Sequence, residues 1–371
     1  MSSHVPFLAV RPDEQFSSSV RKSTRDVIKT NMDSPPLARA PPPTYAASRL
    51  PSSVRFVLLV LLSFSLSTVL KTLAANYAGA QLALASRKVD EPWQISLFIG
   101  WKVVQLTIGW VAGYDYEDIA ALTLLTNQPY YYLLHAYYAL PLLPLAISAF
   151  SDIIAFTLPF ALLRPLTRAH DPATPRMAHG GNQALAMDTQ IMVLTSALAA
   201  TIYAVAFYLE HQFFHLGEFL ITHFDNLATM AAHDTTVAQL IPLFAILGLA
   251  ASFFLFRPTI AAAGISPLRD QKTRGSLSAA RAPKRFNPAT ATLGETFAYN
   301  LGYGTSGWSR RAEVLAKRTA VLALGTLVNN AVRVFATVDG TDVGGALGYA
   351  GIWAFASVLL GVAYGALSHE E

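Results

Sequence analysis

Cysteine is absent from this chain of 371 residues. Disulfide bonds, thiolate catalysis, cysteine-ligated zinc and iron–sulfur clusters are therefore excluded. Charged residues are scarce: they make up 13% of the chain, whereas about 25% is usual in soluble domains. No Asn-x-Ser/Thr sequence occurs, so N-glycosylation does not indicate which loops face outward. What the chain has instead is 53% hydrophobic residues and a mean hydropathy of +0.38, which is typical of a membrane protein.

Long apolar runs alternate with short polar segments, and they predict an all-α fold, a polytopic helical membrane bundle. A run of about 20 apolar residues is long enough to cross a bilayer as a helix. The runs predict about eight transmembrane helices, with seven as the alternative. The predicted order is a disordered cytosolic tail (1–53), six spans (54–256), a basic cytosolic loop (257–318), a hairpin of two further spans (319–367) and a short tail (368–371).

The number of spans depends on residues 119–163, a run of 45 residues with one acid, Asp152, and no Lys or Arg. The run is far longer than one span requires, and Pro141–Pro144 favours a turn, so we predict two spans, 119–138 and 142–163. With eight spans and a cytosolic tail, 22 Lys and Arg residues flank the spans on the inner side and two on the outer side. With seven spans most of this charge would face outward, so the positive-inside rule favours eight.

The N-terminal tail contains one motif that indicates a partner. Pro42, Pro43 and Tyr45 form a Pro-Pro-x-Tyr sequence, which resembles the ligand that WW-domain ubiquitin ligases bind. A preformed polyproline II turn can place Pro and Tyr in an aromatic groove at small entropic cost. The motif therefore supports a non-catalytic scaffold or ubiquitin-ligase adaptor, and the alternative is a chance match in a proline-rich linker.

Two histidines and a glutamate form a candidate metal set. On a continuous helix His211, His215 and Glu218 would share one face, and these are side chains that bind zinc. The pattern departs from the zincin box because Gln212 stands where the general-base glutamate is required. A metal-dependent membrane enzyme is therefore one hypothesis, and an amphipathic interfacial helix is the alternative. We predict no cofactor beyond this divalent metal, and of the two classes we favour a protein that is not an enzyme over one that is.

Several polar residues fall inside predicted spans. A charged side chain at the centre of a membrane helix costs about 2.5–3.5 kcal/mol on insertion scales, so these residues require a function or a partner. We expect Lys71 and Arg333 to reach the interface and Lys102 to pair with Asp152. A transporter-like or channel-like protein for a small solute is our first hypothesis, and a buried structural ion pair is the alternative. The predicted polar interior consists of Lys102, Asp152, Asn329, Asn330 and Arg333.

The last predicted span carries small residues at helical spacing. Gly344 and Gly348 form one Gly-x-x-x-Gly pair, and Gly361 and Gly365 form a second. Such pairs allow two helix backbones to approach closely. We therefore predict helix packing along this face, within the chain or between copies.

The composition also indicates the partners of the chain. The bilayer is the first, and tyrosines such as Tyr130–Tyr132 are typical of an interfacial belt. The loop 257–318 carries eleven Lys and Arg residues against three acids and could bind anionic lipids. Nucleic acid is not indicated, because no recognition motif accompanies the charge. The patterns place the protein in a membrane without specifying an organelle.

Three short stretches resemble a family of uncharacterised multi-pass membrane proteins of filamentous fungi. They are His223-Phe-Asp-Asn, Phe286-Asn-Pro-Ala-Thr-Ala-Thr and Lys317-Arg-Thr. The resemblance covers most of the chain after residue 50. It implies a membrane protein and no particular activity.

Overall fold

The computed structural model describes residues 50–82, 92–167, 169–170, 188–213, 215–230, 235–263, 291–300, 303–304 and 307–367. The predicted tail (1–53) and the last residues (368–371) lie largely or wholly outside these ranges, and so does half of the loop 257–318.

Helices make up nearly all of the described chain, so the predicted all-α bundle is confirmed. The first half contains α1 (Ser52–Leu82), α2 (Pro92–Val111), α3 (Tyr116–Ala136), α4 (Leu142–Leu163), α5 (Thr189–Phe213) and α6 (Leu216–His223). The second half contains α7 (Val237–Leu243), α8 (Ala245–Ala251), a π-helical segment (Ser252–Phe256), α9 (Arg257–Ala263) and α10 (Leu293–Asn300). Two antiparallel strands of two residues each follow, β1 (Tyr303–Gly304) and β2 (Gly307–Trp308). The last two helices are α11 (Arg310–Thr337) and α12 (Val343–Leu367).

Six helical stretches of the described chain have the length and apolar composition of membrane spans. They are Ser52–Asn76, Leu142–Leu163, Thr189–Phe213, Ala245–Ala262, Arg310–Thr337 and Val343–Leu367. Helices α2 and α3 are long enough to cross a bilayer but are not among these six stretches. The count of eight spans stays a prediction.

Helices occupy both ends of the predicted basic loop 257–318. Arg257 begins helix α9, which continues the sixth span, and α11 begins at Arg310 rather than at residue 319. Ser309 caps α11 by accepting a hydrogen bond from the Ala312 N–H, and this cap starts the helix early. The interhelical segment is consequently shorter than predicted.

Residues 119–163 form two helices, as the proline pattern predicted. Helix α3 continues through Pro129 to Ala136, and the chain turns at Ala139, which has a positive φ of 53°. Pro141 then precedes the first residue of α4. Helices α3 and α4 pack against each other, so the run folds back on itself.

Helix α3 lies at the centre of the bundle, where it packs against α4, α11, α8 and the π-helical segment. The three tyrosines Tyr130, Tyr131 and Tyr132 on this helix are all buried, so the predicted interfacial belt is wrong at these positions. Tyr132 instead contacts the rings of Phe207, Phe244 and Trp353 in the core of the bundle.

One end of the bundle is held by buried charged groups, and we refer to it as the Asp115 end. Asp115 caps α3 by accepting a hydrogen bond from the Asp118 N–H, and it also accepts one from the Thr167 N–H after α4. Arg318 of α11 donates to both carboxylate oxygens of Asp118. These bonds bring the start of α3, the end of α4 and the first turns of α11 together.

The opposite end is formed by three connections, and we refer to it as the Tyr137 end. The carbonyl oxygen of Tyr137, in the turn after α3, accepts hydrogen bonds from the N–H groups of Ala228 and Thr229. Phe224, which follows α6, pairs with Thr341 in the turn between α11 and α12. The turn of the α3–α4 hairpin therefore lies with the α11–α12 turn, at the end away from Asp115.

Glycines of α12 contact two different helices rather than one. A Cβ atom at Gly348 would overlap the ring of Phe219 in α6, and one at Gly361 would overlap the side chain of Thr319 in α11. A Cβ at Gly344 would make only ordinary van der Waals contact with its neighbours, and Gly365 is buried. The backbone of α12 therefore approaches its neighbours most closely at Gly348 and Gly361.

Candidate functional site

A cavity of about 380 Å³ lies between helices α1, α2, α3, α4 and α11. Its polar lining includes Lys71, Lys102, Gln105, Asn127, Asp152, Asn329 and Arg333. Rings of Phe64, Phe98 and Phe156 form apolar parts of the wall. Thr337, the last residue of α11, also lines the cavity, which is therefore nearer the Tyr137 end than the Asp115 end.

Asp152 and Arg333 form the charged centre of this cavity wall. Arg333 Nη1 donates to Asp152 Oδ2 at 2.9 Å, and the Tyr131 hydroxyl donates to the same oxygen at 2.8 Å. Lys71 Nζ lies 3.4 Å from the other carboxylate oxygen. The expectation that Arg333 reaches the interface is wrong, because its side chain is 17% exposed and is held by this network.

The predicted pairing of Lys102 with Asp152 is wrong. Lys102 Nζ donates to the Ser63 carbonyl oxygen at 3.0 Å and lies 4.8 and 5.2 Å from the ring centroids of Phe64 and Phe156. These two rings hold the ammonium by cation–π contacts. The carboxylate is occupied by Arg333 instead, although both lysines line the same cavity.

Asn329 joins three walls of the cavity. Its carbonyl oxygen accepts from Trp101 Nε1 at 3.0 Å and from Gln105 Nε2 at 3.2 Å, both on α2. Its amide donates to the Thr126 carbonyl oxygen at 2.9 Å and to Asn127 Oδ1 at 2.7 Å on α3. All the hydrogen-bonding groups of this side chain are thereby used, and α2 is attached to the centre of the bundle through it.

Asn330 points to the same part of α3 but does not line the cavity. Its amide donates to the carbonyl oxygens of Thr126 and Thr326 at 3.0 and 2.7 Å. The Thr126 carbonyl oxygen thus accepts from two neighbouring asparagines of α11. These bonds stabilise α3 in the turn before Pro129.

A second polar cluster lies at the Asp115 end. Oxygen and nitrogen atoms of Asp115, Asp118 and His170 lie within 4.8 Å of one another, and all three residues are buried. His170 Nδ1 is 2.7 Å from Asp115 Oδ2, and Arg318 Nη2 is 2.9 Å from Asp118 Oδ2. Arg318 already supplies the positive charge that a metal ion would bring, so this cluster is an internal ion-pair network.

The pKa values of the Asp115–His170 pair are displaced in opposite directions. Burial raises the pKa of Asp115, but the hydrogen bond from His170 and the donors of Asp118 and Thr167 outweigh it and hold that pKa well below its usual range. Burial lowers the pKa of His170, but the bond to Asp115 and the nearby acids outweigh it and raise that pKa. Both displacements favour a charged pair.

The proposed metal set is not assembled. Helix α5 ends at Phe213 and α6 begins at Leu216, so the expectation of one continuous helix face through His211, His215 and Glu218 is wrong. His211 is buried and its Nε2 lies 2.7 Å from the Tyr137 hydroxyl. His215 and Glu218 have side chains that are 73% and 84% exposed. The break between α5 and α6 therefore leaves His211 buried in the bundle and His215 exposed.

Sequence reasoning missed Tyr131 and Asn127 as parts of the cavity network. Tyr131 was grouped with interfacial tyrosines, although its position 21 residues before Asp152 lets a hairpin bring the two together. Asn127 Oδ1 accepts from Arg333 at 2.8 Å, although the predicted polar interior did not include Asn127. In both cases the sequence signal that could have identified the residue was a polar side chain within an otherwise apolar span.

Pro42, Pro43 and Tyr45 lie outside the described residues, so the predicted WW-domain ligand has no structural description. Comparisons of the chain with protein-family models, with curated proteins and with solved structures found no match. The resemblance to membrane proteins of filamentous fungi stays a prediction.

Proposed function

We propose that this multi-pass membrane protein binds a small polar solute in the cavity between α1, α2, α3, α4 and α11 and carries it across the membrane. The observation that supports the proposal is the cavity itself, whose volume of about 380 Å³ falls within the range of small-molecule sites. Four ionisable side chains line it, and intramembrane ionisable residues mark solute or ion pathways in many membrane proteins.

The number of charges argues against a purely structural role. One ion pair, Asp152 with Arg333, is sufficient to join α4 to α11. Lys71 and Lys102 add two further cations at an insertion cost of about 2.5–3.5 kcal/mol each near a helix centre. Lys71 contacts the second carboxylate oxygen of Asp152, but Lys102 makes no bond to this ion pair, whereas a binding site for a polar solute uses both lysines.

Helix α2 is the wall that could move. It packs lightly, mainly against α11 and α1, and the bonds of Trp101 and Gln105 to Asn329 attach its middle to α11. Arg164 holds only its C-terminal end, by donating to the carbonyl oxygens of Gly109 and Trp110. Exchange of these hydrogen bonds for bonds to a solute would free α2 from α11. Such a shift would open the cavity by a hinge or shear motion of one helix.

We also propose that the chain crosses the membrane eight times, with α2 and α3 as spans in addition to the six apolar stretches. The turns at 137–141, 224–229 and 339–342 lie at one end of the bundle, and residues 115, 167 and 318 lie at the other. This alternation fits eight crossings. The excess of Lys and Arg then places the Asp115 end on the cytosolic side.

A cavity-filling substitution tests the solute site. Ser67 lines the cavity on α1, and Val69 is 55% exposed on the same helix. We expect Ser67→Phe to abolish uptake of small solutes into proteoliposomes and Val69→Phe to leave it unchanged. If no anion, cation or neutral polar solute enters wild-type proteoliposomes faster than protein-free vesicles, the proposed function is wrong.

The tail supports a separate proposal, in which Pro42, Pro43 and Tyr45 bind a WW domain of a ubiquitin ligase. We expect Tyr45→Ala to abolish capture of the full-length protein by an isolated WW domain. Thr44→Ala changes the variable position and should leave capture unchanged. Equal capture of both variants would reject the motif.

Anionic lipids are a further proposed partner of the basic segment 257–318. Arg257, Lys317 and Arg318 at the two ends of this segment contact acidic residues, so the proposal concerns the basic residues between them. We expect substitution of the five basic residues from Lys272 to Arg285 by Gln to reduce copurified anionic lipid. Lys317→Gln is the matched control, and equal lipid content would reject the proposal.

A further inference from the structure

The charges around the cavity do not balance. Among the described residues that line it, three are cations, Lys71, Lys102 and Arg333, and one is an anion, Asp152. Unbalanced charge is costly in a membrane interior, where solvation is weak. An anionic ligand would remove the imbalance.

Arg333 is not the source of the excess charge. Its Nη1 donates to Asn127 Oδ1 and Asp152 Oδ2 at 2.8 and 2.9 Å, and its Nη2 donates to the Tyr131 hydroxyl at 3.2 Å. Its guanidinium also lies 4.4 Å from the centroid of the Tyr130 ring. Asp152 therefore neutralises Arg333, and the pair acts as a fixed wall.

The excess charge resides on the two lysines. An ammonium carries three N–H donors, and within the described chain Lys102 uses one of them, for the Ser63 carbonyl oxygen. Its contacts with Phe64 and Phe156 orient the ammonium without supplying an acceptor. Lys71 lies 3.4 Å from Asp152 Oδ1, and its side chain is 63% exposed.

We propose that the cavity binds a small oxyanion, a carboxylate or phosphate group, between the ammonium groups of Lys71 and Lys102. This inference rests on the proposed function and names the class of its solute. A carboxylate or phosphate offers several acceptor oxygens in different directions, so both lysines can donate to it at once. Gln105 also lines the cavity, and its amide has a second N–H beside the one donated to Asn329.

The oxyanion could be a free metabolite or the headgroup of an anionic lipid. Thr68, Lys71 and Ile99 line the cavity and are exposed, so the cavity opens between α1 and α2. A mouth on the side of the bundle admits a lipid headgroup as well as a dissolved anion. The chemistry is shared by both sources, and the experiment below separates them.

Thermal stabilisation of the purified full-length protein tests the proposal. Sodium phosphate, sodium acetate and sodium chloride are compared at equal ionic strength in detergent, and anionic lipid is compared with zwitterionic lipid in parallel. We expect phosphate or acetate to raise the melting temperature more than chloride does if the source is a free anion. Stabilisation by anionic lipid alone would identify a lipid headgroup. No stabilisation by any anion, or equal stabilisation by chloride, would overturn the proposal.

Charge-removing variants locate the site. Lys102→Met should weaken binding of the stabilising anion about tenfold or more, because one charge-assisted hydrogen bond is lost. Lys71→Met, at an exposed side chain, gives the same test should Lys102→Met fail to fold. Lys317→Met, far from the cavity and 72% exposed, should bind like the wild type. Undiminished binding in both cavity variants would reject this site.

The solute flux assay separates this inference from the function on which it rests. Uptake of cations or neutral solutes that is blocked by Ser67→Phe and unaffected by Lys102→Met would retain the solute site and reject the oxyanion. Lysine-dependent binding of phosphate or acetate with no uptake of any solute would retain the oxyanion site and reject transport.

Discussion

Arg333 Nη1 lies 2.9 Å from Asp152 Oδ2, across 181 residues of sequence and between helices α11 and α4. The Tyr131 hydroxyl of α3 donates to the same carboxylate oxygen, so three helices meet at one acid. The bond fixes the depth at which α11 packs against the α3–α4 hairpin. It also neutralises the one guanidinium that lines the cavity.

Removal of the Asp152 carboxylate should destabilise the bundle. Asp152→Asn leaves Arg333 buried without its counter-charge, and loss of one partner of a buried pair costs about 3–5 kcal/mol. We expect a lower melting temperature in detergent, with part of the loss recovered in Asp152→Asn/Arg333→Gln. The exposed pair Glu313–Lys317 is the control, and Glu313→Gln should melt like the wild type. A wild-type melting temperature for Asp152→Asn would contradict the network.

A methyl group at Gly248 should separate α8 from α5. Its Cβ would overlap the Ser196 carbonyl oxygen and lie 3.0 Å from the Ala200 nitrogen, and these backbone atoms cannot turn away. We expect Gly248→Ala to cost about 1–3 kcal/mol, measured as loss of folded protein on heating. Nothing lies within 4 Å of a Cβ at Gly351, so Gly351→Ala should be tolerated. Equal behaviour of the two variants would mean that the helices do not approach as described.

Stability should decrease with alkaline pH because of His170. The pKa of His170 is raised above its ordinary 6.5, so its contribution is complete below pH 6.5 and is lost as the pH rises through the folded-state value. The pKa of Asp115 is lowered, so its contribution persists until well below pH 3.8. The difference in melting temperature between wild type and His170→Gln should therefore shrink as the pH rises from 5 to 9. A constant difference would show that the pair is not charged, and His215→Gln is the control.

Single cysteines can test the predicted topology, because the natural chain contains none. Ala139→Cys and Glu218→Cys place thiols at the Tyr137 end, and Glu313→Cys places one in the first turn of α11. We expect an impermeant maleimide to label the first two from one side of sealed, oriented vesicles and the third from the other. Labelling of Ala139→Cys and Glu313→Cys from the same side would mean that residues 119–163 do not cross twice.

Sequence alone determined the type of fold and much of its helix order. A bilayer requires about 20 apolar residues per span, so the lengths of the runs predicted where long helices occur. The prolines in 141–144 located the turn of the hairpin, and α12 ends at Leu367, where the predicted hairpin 319–367 also ends. These features are local in sequence. For that reason they could be obtained without knowledge of the packing.

The local hydropathy pattern did not predict helix boundaries that are decided by a capping residue or by a break in the helix. Ser309 starts α11 nine residues before the apolar run that predicted it, because a cap and a charged first turn stabilise a helix that hydropathy does not mark. The break between Phe213 and Leu216 separates two histidines that a continuous helix would align. One residue in a left-handed conformation, His215, is enough to change the face.

Only the tertiary structure decided which polar residues meet. The sequence identified Lys102, Asp152 and Arg333 as intramembrane charges, but opposite sign alone suggested the wrong pair. Pairing depends on the rotation and depth of each helix, which are set by packing of side chains far apart in the chain. The apolar runs therefore determined that helices cross a membrane, and the packing of α3 among its neighbours determined that a charged cavity lies between them.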